Sequence, residues 1–187
     1  GVAIGTITDW NKYKEELEER MGSDNKMVRL LINRAKINPK RVVFAEADQL
    51  DVLKAAQIVH EEGIAIPILL GRREVILELK NEIGFDAELE IRDPKLEEEE
   101  ERRMQFATSY WQAKQRKGLT LYEAGKLMRE RNYFASMMVN EGEADALVTG
   151  YSRSYPSTIK PILDLIPRAS GVTKVATTNL MLTKRGP

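Results

Sequence analysis

The sequence contains no cysteine and only one histidine, His60, in 187 residues. Without cysteine, disulfide bonds, thiolate metal sites and cysteine catalysis are excluded. His60 lies on a predicted helix, away from the candidate loop described below, so we expect neither a histidine-based triad nor a multi-histidine metal site. The sequence also lacks a G-x-G-x-x-G, P-loop, H-E-x-x-H or G-x-S-x-G pattern. It therefore presents no catalytic residue and no metal-ligand set.

Net charge and long apolar runs are absent as well. Lys and Arg total 29, Asp and Glu total 29, and the formal net charge is zero. Such a balance gives no general electrostatic reason to bind nucleic acid or an anionic membrane. No apolar run approaches the roughly 20 residues that span a bilayer, and the N-terminus has no signal-peptide pattern. We therefore expect a cytoplasmic protein with neither a nucleic-acid nor a membrane partner.

Short apolar segments alternate with amphipathic ones, which is the pattern of βαβ units around a mainly parallel sheet. Strands are predicted at 41–45, 66–70, 89–91 and 146–148. Helices are predicted at about 25–35, 48–62, 74–83, 93–117, 120–131, 132–141 and 156–166, after a charged helix that begins near residue 10 and ends near residue 22. The hydrophobic content of 42 per cent can supply a core for this fold.

Several helix starts have recognisable capping residues. Asp93 followed by proline predicts one start, so the acidic run at 97–101 is interpreted as a solvated first turn and not as a metal site. Thr120 begins a capping box, and Asn132 is predicted to cap the next helix. The predicted buried stripe of the helix after Asp93 contains Met104, Ala107, Tyr110 and Trp111.

A hydroxyl-rich turn follows the strand at 146–148 and precedes a predicted helix that begins at Pro156. Free N–H groups at such a position, together with the positive end of the helix, favour an anion, and Arg153 would add a bidentate donor. The turn is therefore a candidate effector- or phosphate-binding site, although an ordinary strand–helix loop uses the same residue types. Its candidate residues are Thr149, Gly150, Tyr151, Ser152, Arg153 and Ser154.

Two further pairs of polar residues lie at predicted strand ends. Glu46 and Asp48 follow the first strand, where carboxylates could act as a general base, but we favour a loop-capping role. Arg72 and Arg73 follow the second strand, where they could bind phosphate, but we favour a surface role for them.

Three segments together resemble a known family. Arg41-Val-Val-Phe-Ala-Glu-Ala-Asp and Ala144-Asp-Ala-Leu-Val-Thr-Gly150 are similar to segments of the phosphate acetyl/butyryltransferases. Gly1-Val-Ala-Ile-Gly-Thr-Ile-Thr-Asp-Trp and the charged helix after it resemble the link that leaves the oxidoreductase domain of large bacterial malic enzymes, which have a fused transferase-like domain. The resemblance places a helical linker at 1–38 and the first part of the transferase-like domain at 39–187.

The resemblance implies a three-layer αβα fold of the phosphotransacetylase and isocitrate/isopropylmalate dehydrogenase type. In the fused malic enzymes this domain is non-catalytic, forms dimers or larger homo-oligomers and responds to acetyl-CoA. NAD(P) and a divalent metal would belong to the oxidoreductase domain, and none is expected here. Because the sequence lacks an initiator Met and ends on a strand-like segment, we expect a piece of a longer protein.

Differences from the transferase pattern favour a domain that does not catalyse acyl transfer. Tyr151 replaces a small residue of the family turn and would narrow the approach to its N–H groups. Asp51 stands where the family has arginine and would repel a phosphate. The leading hypothesis is a regulatory and assembly domain of a malic enzyme. The alternatives are part of an active phosphate acyltransferase and an interaction module without a small-molecule ligand.

Overall fold

Four parallel strands form the centre of the chain, and the computed structural model describes residues 26–176. They are β1 (Lys40–Phe44), β2 (Ala65–Leu70), β3 (Glu90–Arg92) and β4 (Ala146–Val148), in the sheet order β3-β2-β1-β4. All three pairings are parallel, which confirms the predicted sheet. The predicted charged helix before residue 25 lies outside the described residues, and so does the part of the strand-like apolar segment at 172–182 that follows residue 176.

Helices connect these strands and supply both outer layers. They are α1 (Lys26–Ile37), α2 (Leu50–Glu61), α3 (Arg73–Ile83), α4 (Glu100–Lys114), α5 (Leu121–Leu127), α6 (Arg131–Asn140) and α7 (Tyr155–Leu165). No helix among the described residues is long and apolar enough to cross a membrane. His60 lies in the last turn of α2 with its ring centroid 6.0 Å from that of Phe85, which is the helix-flank position expected for it.

The sheet separates two hydrophobic cores because successive side chains of a strand point to opposite faces. Val43 of β1 packs with α4, α5 and α6, whereas Phe44, the next residue, packs with α2 and α3. In β2, Ile68 and Leu70 join the first core and Leu69 the second. The architecture is therefore the predicted three-layer αβα arrangement.

The start of α4 differs from the sequence prediction. Asp93 accepts the backbone N–H of Lys95 in a turn, a short 3-10 segment occupies Glu97–Glu99, and α4 begins only at Glu100. The acidic run is not fully solvated, because Glu99 is buried and its carboxylate lies 3.0 Å from Nη1 of Arg92. Capping propensity identified the turn correctly but could not show how far the helix lies beyond it.

The buried face of α4 also differs in part from the predicted stripe. Ala107 and Tyr110 are buried as expected, but Met104 is 48 per cent exposed, and Phe106 is buried in its place. The ring of Phe106 meets that of Phe134 edge-on, with centroids 5.1 Å apart. The helix therefore sits at a different rotation on the sheet from the one that the sequence spacing suggested.

The capping box at Thr120 is confirmed, since Thr120 and Glu123 exchange both side-chain-to-backbone hydrogen bonds. The predicted cap at Asn132 is wrong. Glu130 caps α6 instead, and its carboxylate accepts the N–H groups of Asn132 and Tyr133. Asn132 lies inside the helix and is buried, which leaves its side chain available for a contact with the β4–α7 turn.

Strand β4 is anchored to β1 by a polar contact at its start. The carboxylate of Asp145 accepts hydrogen bonds from the backbone N–H and the guanidinium of Arg41, at 2.8 Å for the backbone and 3.1 Å for Nη2. Asp145 in turn donates its own N–H to the carbonyl of Arg41. These bonds lower the pKa of the Asp145 carboxyl.

Candidate functional site

The candidate turn binds an anion that belongs to the chain itself. The Glu46 carboxylate, at the end of β1, accepts the backbone N–H groups of Gly150, Tyr151 and Ser152, each at 2.8 Å. The Ser152 hydroxyl donates a further hydrogen bond to it. The N–H groups that we expected to be free are therefore engaged, and the loop-capping role favoured for Glu46 is confirmed.

Gly150 makes this arrangement possible. Its φ angle is 103°, a region that residues with a side chain rarely adopt, and it turns the chain sharply at the end of β4. Three successive N–H groups then point towards one place and form a concave anion-binding nest. The residue that fills this nest comes from the neighbouring strand because β1 and β4 are parallel and end at the same edge of the sheet.

The Glu46 side chain remains charged in this position. The residue is 1 per cent exposed, and burial alone would raise the pKa of its carboxyl. The hydrogen bonds from Ser152, Gly150 and Tyr151 outweigh burial, so that the pKa is lowered. A carboxylate with a lowered pKa and all its acceptor sites facing donors is a poor general base, which agrees with a structural role.

Thr149, Tyr151 and Ser154 of the turn also make hydrogen bonds. Thr149 donates its hydroxyl to Asn132 Oδ1 at 2.8 Å, and the carbonyl of Ser154, the residue before α7, accepts the hydroxyl of Thr158 at 3.1 Å. The Tyr151 hydroxyl donates to the carboxylate of Asp51, and this raises the pKa of the Tyr151 phenol. Tyr151 and Asp51, two of the residues that depart from the transferase pattern, are thus bonded to each other beside the turn.

Asp48 forms a second buried polar centre beside the turn. Arg131 approaches it with both terminal nitrogens, at 2.7 and 3.1 Å, and Nε of Arg72 lies at 3.2 Å. Burial would raise the pKa of Asp48, but the two arginines lower it. Gly71 permits this packing, since a Cβ atom there would lie 3.2 Å from the backbone nitrogen of Asp48. Asp48 therefore orients two arginines and is itself a structural residue.

A basic cavity of about 350 Å³ adjoins this centre at the carboxyl ends of the strands. Arg72 and Arg131 line it, but Asp48 offsets their charge. Among the described residues, four more basic side chains line the cavity without a hydrogen bond or salt bridge: Lys95, Lys126, Arg129 and Arg153. Asp93 and Glu130 contribute the opposite charge, so the lining remains cationic and suits an anionic group.

The structure brings only part of the predicted site to this cavity. Arg153 lines it, and Arg72 does too, whereas Arg73 pairs with Glu98 at 3.3 Å on the surface. Lys126 and Arg129 were missed by the sequence analysis because they belong to α5 and the turn after it, more than 20 residues before Arg153 in the sequence. The concentration of three basic residues between positions 126 and 131 was the available signal.

Comparisons with known proteins agree with this fold. A family described as Phosphate acetyl/butaryl transferase matches residues 26–187. A phosphate acetyltransferase of Thermoanaerobacterium thermosaccharolyticum is 34% identical over 83% of this chain and 46% of its own length. An NADP-dependent malic enzyme of Haemophilus influenzae is 32% identical over the whole chain, but over 25% of its own length.

Solved structures give the same result. A phosphotransacetylase of Streptococcus pyogenes superposes with a TM-score of 0.66 and 29% identity, over 79% of this chain and 45% of that one. The EutD phosphotransacetylase of Staphylococcus aureus has the same TM-score at 28% identity, over 77% of this chain and 44% of its own. This chain thus spans less than half the length of these relatives. It belongs to the phosphate acetyl/butaryl transferase family, whose members among its relatives include both phosphate acetyltransferases and malic enzymes.

Proposed function

We propose that this chain is the transferase-like part of an NAD(P)-dependent malic enzyme, where it senses acetyl-CoA and assembles subunits without transferring acyl groups itself. The observation that carries the proposal is the basic cavity beside the β4–α7 turn. Four cations without a partner among the described residues can hold the phosphates of an acyl-CoA, and one of them, Arg153, belongs to the turn itself.

The extent of the sequence similarity supports the malic enzyme branch. Matches to the malic enzymes of Haemophilus influenzae and Escherichia coli cover 100% of this chain, and a match to an NADP-dependent malic enzyme of Rhizobium meliloti covers 87% of it. Matches to two phosphate acetyltransferases cover 83% and 81% of it. Residues 1–25, which precede the family match, are thus included in the two malic enzyme alignments that cover the whole chain. In the proposed protein an oxidoreductase domain would supply the NAD(P) and divalent-metal sites, in the cytoplasm.

The contacts around the turn argue against acyl transfer by this chain. Glu46 engages the N–H groups that could otherwise hold a phosphate. The hydrogen-bonded pair of Tyr151 and Asp51 adds bulk and a negative charge beside the same turn. An effector is therefore expected to place its phosphates on the cationic side chains of the cavity, since these remain accessible.

The test is a titration of the full-length protein with acetyl-CoA while malate-dependent reduction of NADP and NAD is followed. We expect inhibition, and an inhibition constant raised about 10- to 100-fold in Arg129→Ala, because a charge-assisted hydrogen bond to phosphate contributes about 1.5–3 kcal/mol. Arg153→Ala should weaken inhibition in the same direction. Arg116, an exposed arginine outside the cavity, provides the matched control Arg116→Ala, which should leave inhibition unchanged.

A homo-oligomer is part of the same proposal, and light scattering of the full-length protein tests it. Activity that is indifferent to saturating acetyl-CoA would refute effector control. If acyl-CoA binding were also undetectable, the chain would instead be an interaction module without a small-molecule ligand.

An active phosphate acyltransferase is the second candidate. The similarity to phosphotransacetylase structures supports it, because this chain shares the fold of nearly half of each of those proteins. The discriminating assay is CoA-dependent formation of acetyl-CoA from acetyl phosphate by the full-length protein. Formation of acetyl-CoA by the full-length protein, and its loss in the Arg153→Ala variant, would favour this candidate over the regulatory one.

A further inference from the structure

Helix α1 (Lys26–Ile37) exposes large aliphatic side chains on the outside of the fold. Leu30 is 61 per cent exposed, Leu31 58 per cent and Ile37 83 per cent. No side chain of α1 belongs to either hydrophobic core, and its Lys36 makes a long ion pair of 3.7 Å with Glu62, just after α2. Several exposed aliphatic residues on one short helix are typical of a surface that another element covers.

The face of α1 that we consider contains Val28, Leu31 and Ala35. Their spacing of i, i+3 and i+7 places them on one side of the helix. The charges of α1 all have the same sign, since it contains four basic residues and no acidic one: Lys26, Arg29, Arg34 and Lys36. A second α1 would therefore be repelled, whereas a helix with an apolar stripe and acidic flanks would complement this face.

The predicted helix at 10–22, which lies outside the described residues, has this complementary composition. Tyr13, Leu17 and Met21 are four residues apart and would share one face. Four of the five residues at 15–19 are glutamates. Only residues 23–25 separate the predicted helix from α1, a length that suits two antiparallel helices joined by a short loop.

We propose that residues 10–22 form a helix that packs antiparallel on α1, with Leu17 against Leu31. Both leucines are seven residues from Asp24, so an antiparallel arrangement places them at the same level. The glutamates at 15–19 would lie beside the basic residues of α1. The inference does not rest on acetyl-CoA binding. In the proposed malic enzyme it would make the connection between the two domains a rigid pair of helices and not a flexible link.

The lack of cysteine in this chain makes disulfide formation a direct test. We would introduce Leu17→Cys together with Leu31→Cys in the full-length protein, oxidise it mildly and map the disulfides by mass spectrometry of its peptides. We expect a disulfide within one molecule, which needs Cα atoms no more than about 7 Å apart. The control pair is Leu17→Cys with Ile37→Cys. Its second thiol lies about 9 Å further along α1, so it should form the disulfide at least about tenfold more slowly.

Amide hydrogen exchange in α1 provides a second measurement that needs no cysteine. Leu17→Asp would place a charge in the proposed contact and should speed exchange across residues 26–37 about tenfold or more, because a helix without its partner opens more readily. The control is Leu163→Asp on α7, where the leucine is 53 per cent exposed, and it should leave exchange in α1 unchanged.

Three results would overturn the proposal. A disulfide between two molecules of the Leu17→Cys and Leu31→Cys variant would show that a second copy covers α1. Equal rates of disulfide formation in the two cysteine pairs would show that Leu17 has no fixed position on α1. Slow exchange in α1 that persists in Leu17→Asp would show that a different segment covers the helix.

Discussion

Replacing Glu46 by glutamine tests the account of the β4–α7 turn most directly. At pH 7 the carboxylate accepts three backbone N–H groups and the Ser152 hydroxyl in a position that is 1 per cent exposed. Glutamine keeps one acceptor oxygen but points an amide N–H₂ at donors. The substitution therefore removes the hydrogen bond from the Ser152 N–H. The remaining hydrogen bonds weaken because their acceptor is no longer charged. We expect a loss of about 2–4 kcal/mol in the free energy of unfolding.

Urea denaturation followed by far-UV circular dichroism measures this loss, with Glu88→Gln as the control because Glu88 is an exposed glutamate. The pH dependence provides a second check. The folded pKa of Glu46 is lowered, so its contribution is complete above the unfolded value of about 4.3 and disappears as the pH falls through the folded value. The gap between the two proteins should therefore narrow as the pH falls below the unfolded value of about 4.3. A gap under about 0.5 kcal/mol at pH 7 would refute the reasoning.

Two further substitutions test neighbouring contacts by the same denaturation assay. Thr120→Ala removes the hydroxyl that accepts the Glu123 N–H at 3.2 Å, and it should destabilise the chain by about 0.5–2 kcal/mol; an unchanged midpoint would contradict the capping box. Asp48→Asn leaves Arg131 and Arg72 without their counter-charge and should cost about 2–4 kcal/mol, less than for a fully buried pair because the Arg72 side chain is 60 per cent exposed. Burial raises the pKa of Asp48, but the two arginines outweigh it and leave the pKa lowered, so this difference should shrink in acid, and its persistence at low pH would count against the ion pairs.

The sheet could be predicted from the sequence because its strands are short apolar runs between helical segments. Val43 and Leu69 belong to runs that no amphipathic surface helix would contain, and the glycine that follows β4 indicated the turn. Rotation of a helix on the sheet is harder to predict. In α4 the choice between Met104 and Phe106 depends on where Phe134 of another helix lies, and spacing along one helix does not encode that position.

The candidate site, like the fold, could be predicted only in part from the sequence. The turn was found because its hydroxyl and glycine residues are contiguous, but its partner Glu46 is more than 100 residues away in the sequence. A pattern of donors reveals a site for an anion without revealing that a carboxylate of the chain already fills it. The cationic residues at 126 and 129 share a cavity with Arg153 only through the packing of α5 and α6 against the sheet, so their clustering in the sequence did not show which residues they would meet.

The contacts at the two ends of β4 have a consequence for strand register. This strand has only three residues, and two of them are exposed, so apolar burial specifies its alignment with β1 weakly. Asp145 bonds to Arg41 before the strand, and the turn after the strand bonds to Glu46. A slip by one residue would break both contacts at once, because each depends on the same alignment. Polar contacts at its two ends therefore define the position of a strand that is too short to be positioned by its own core residues.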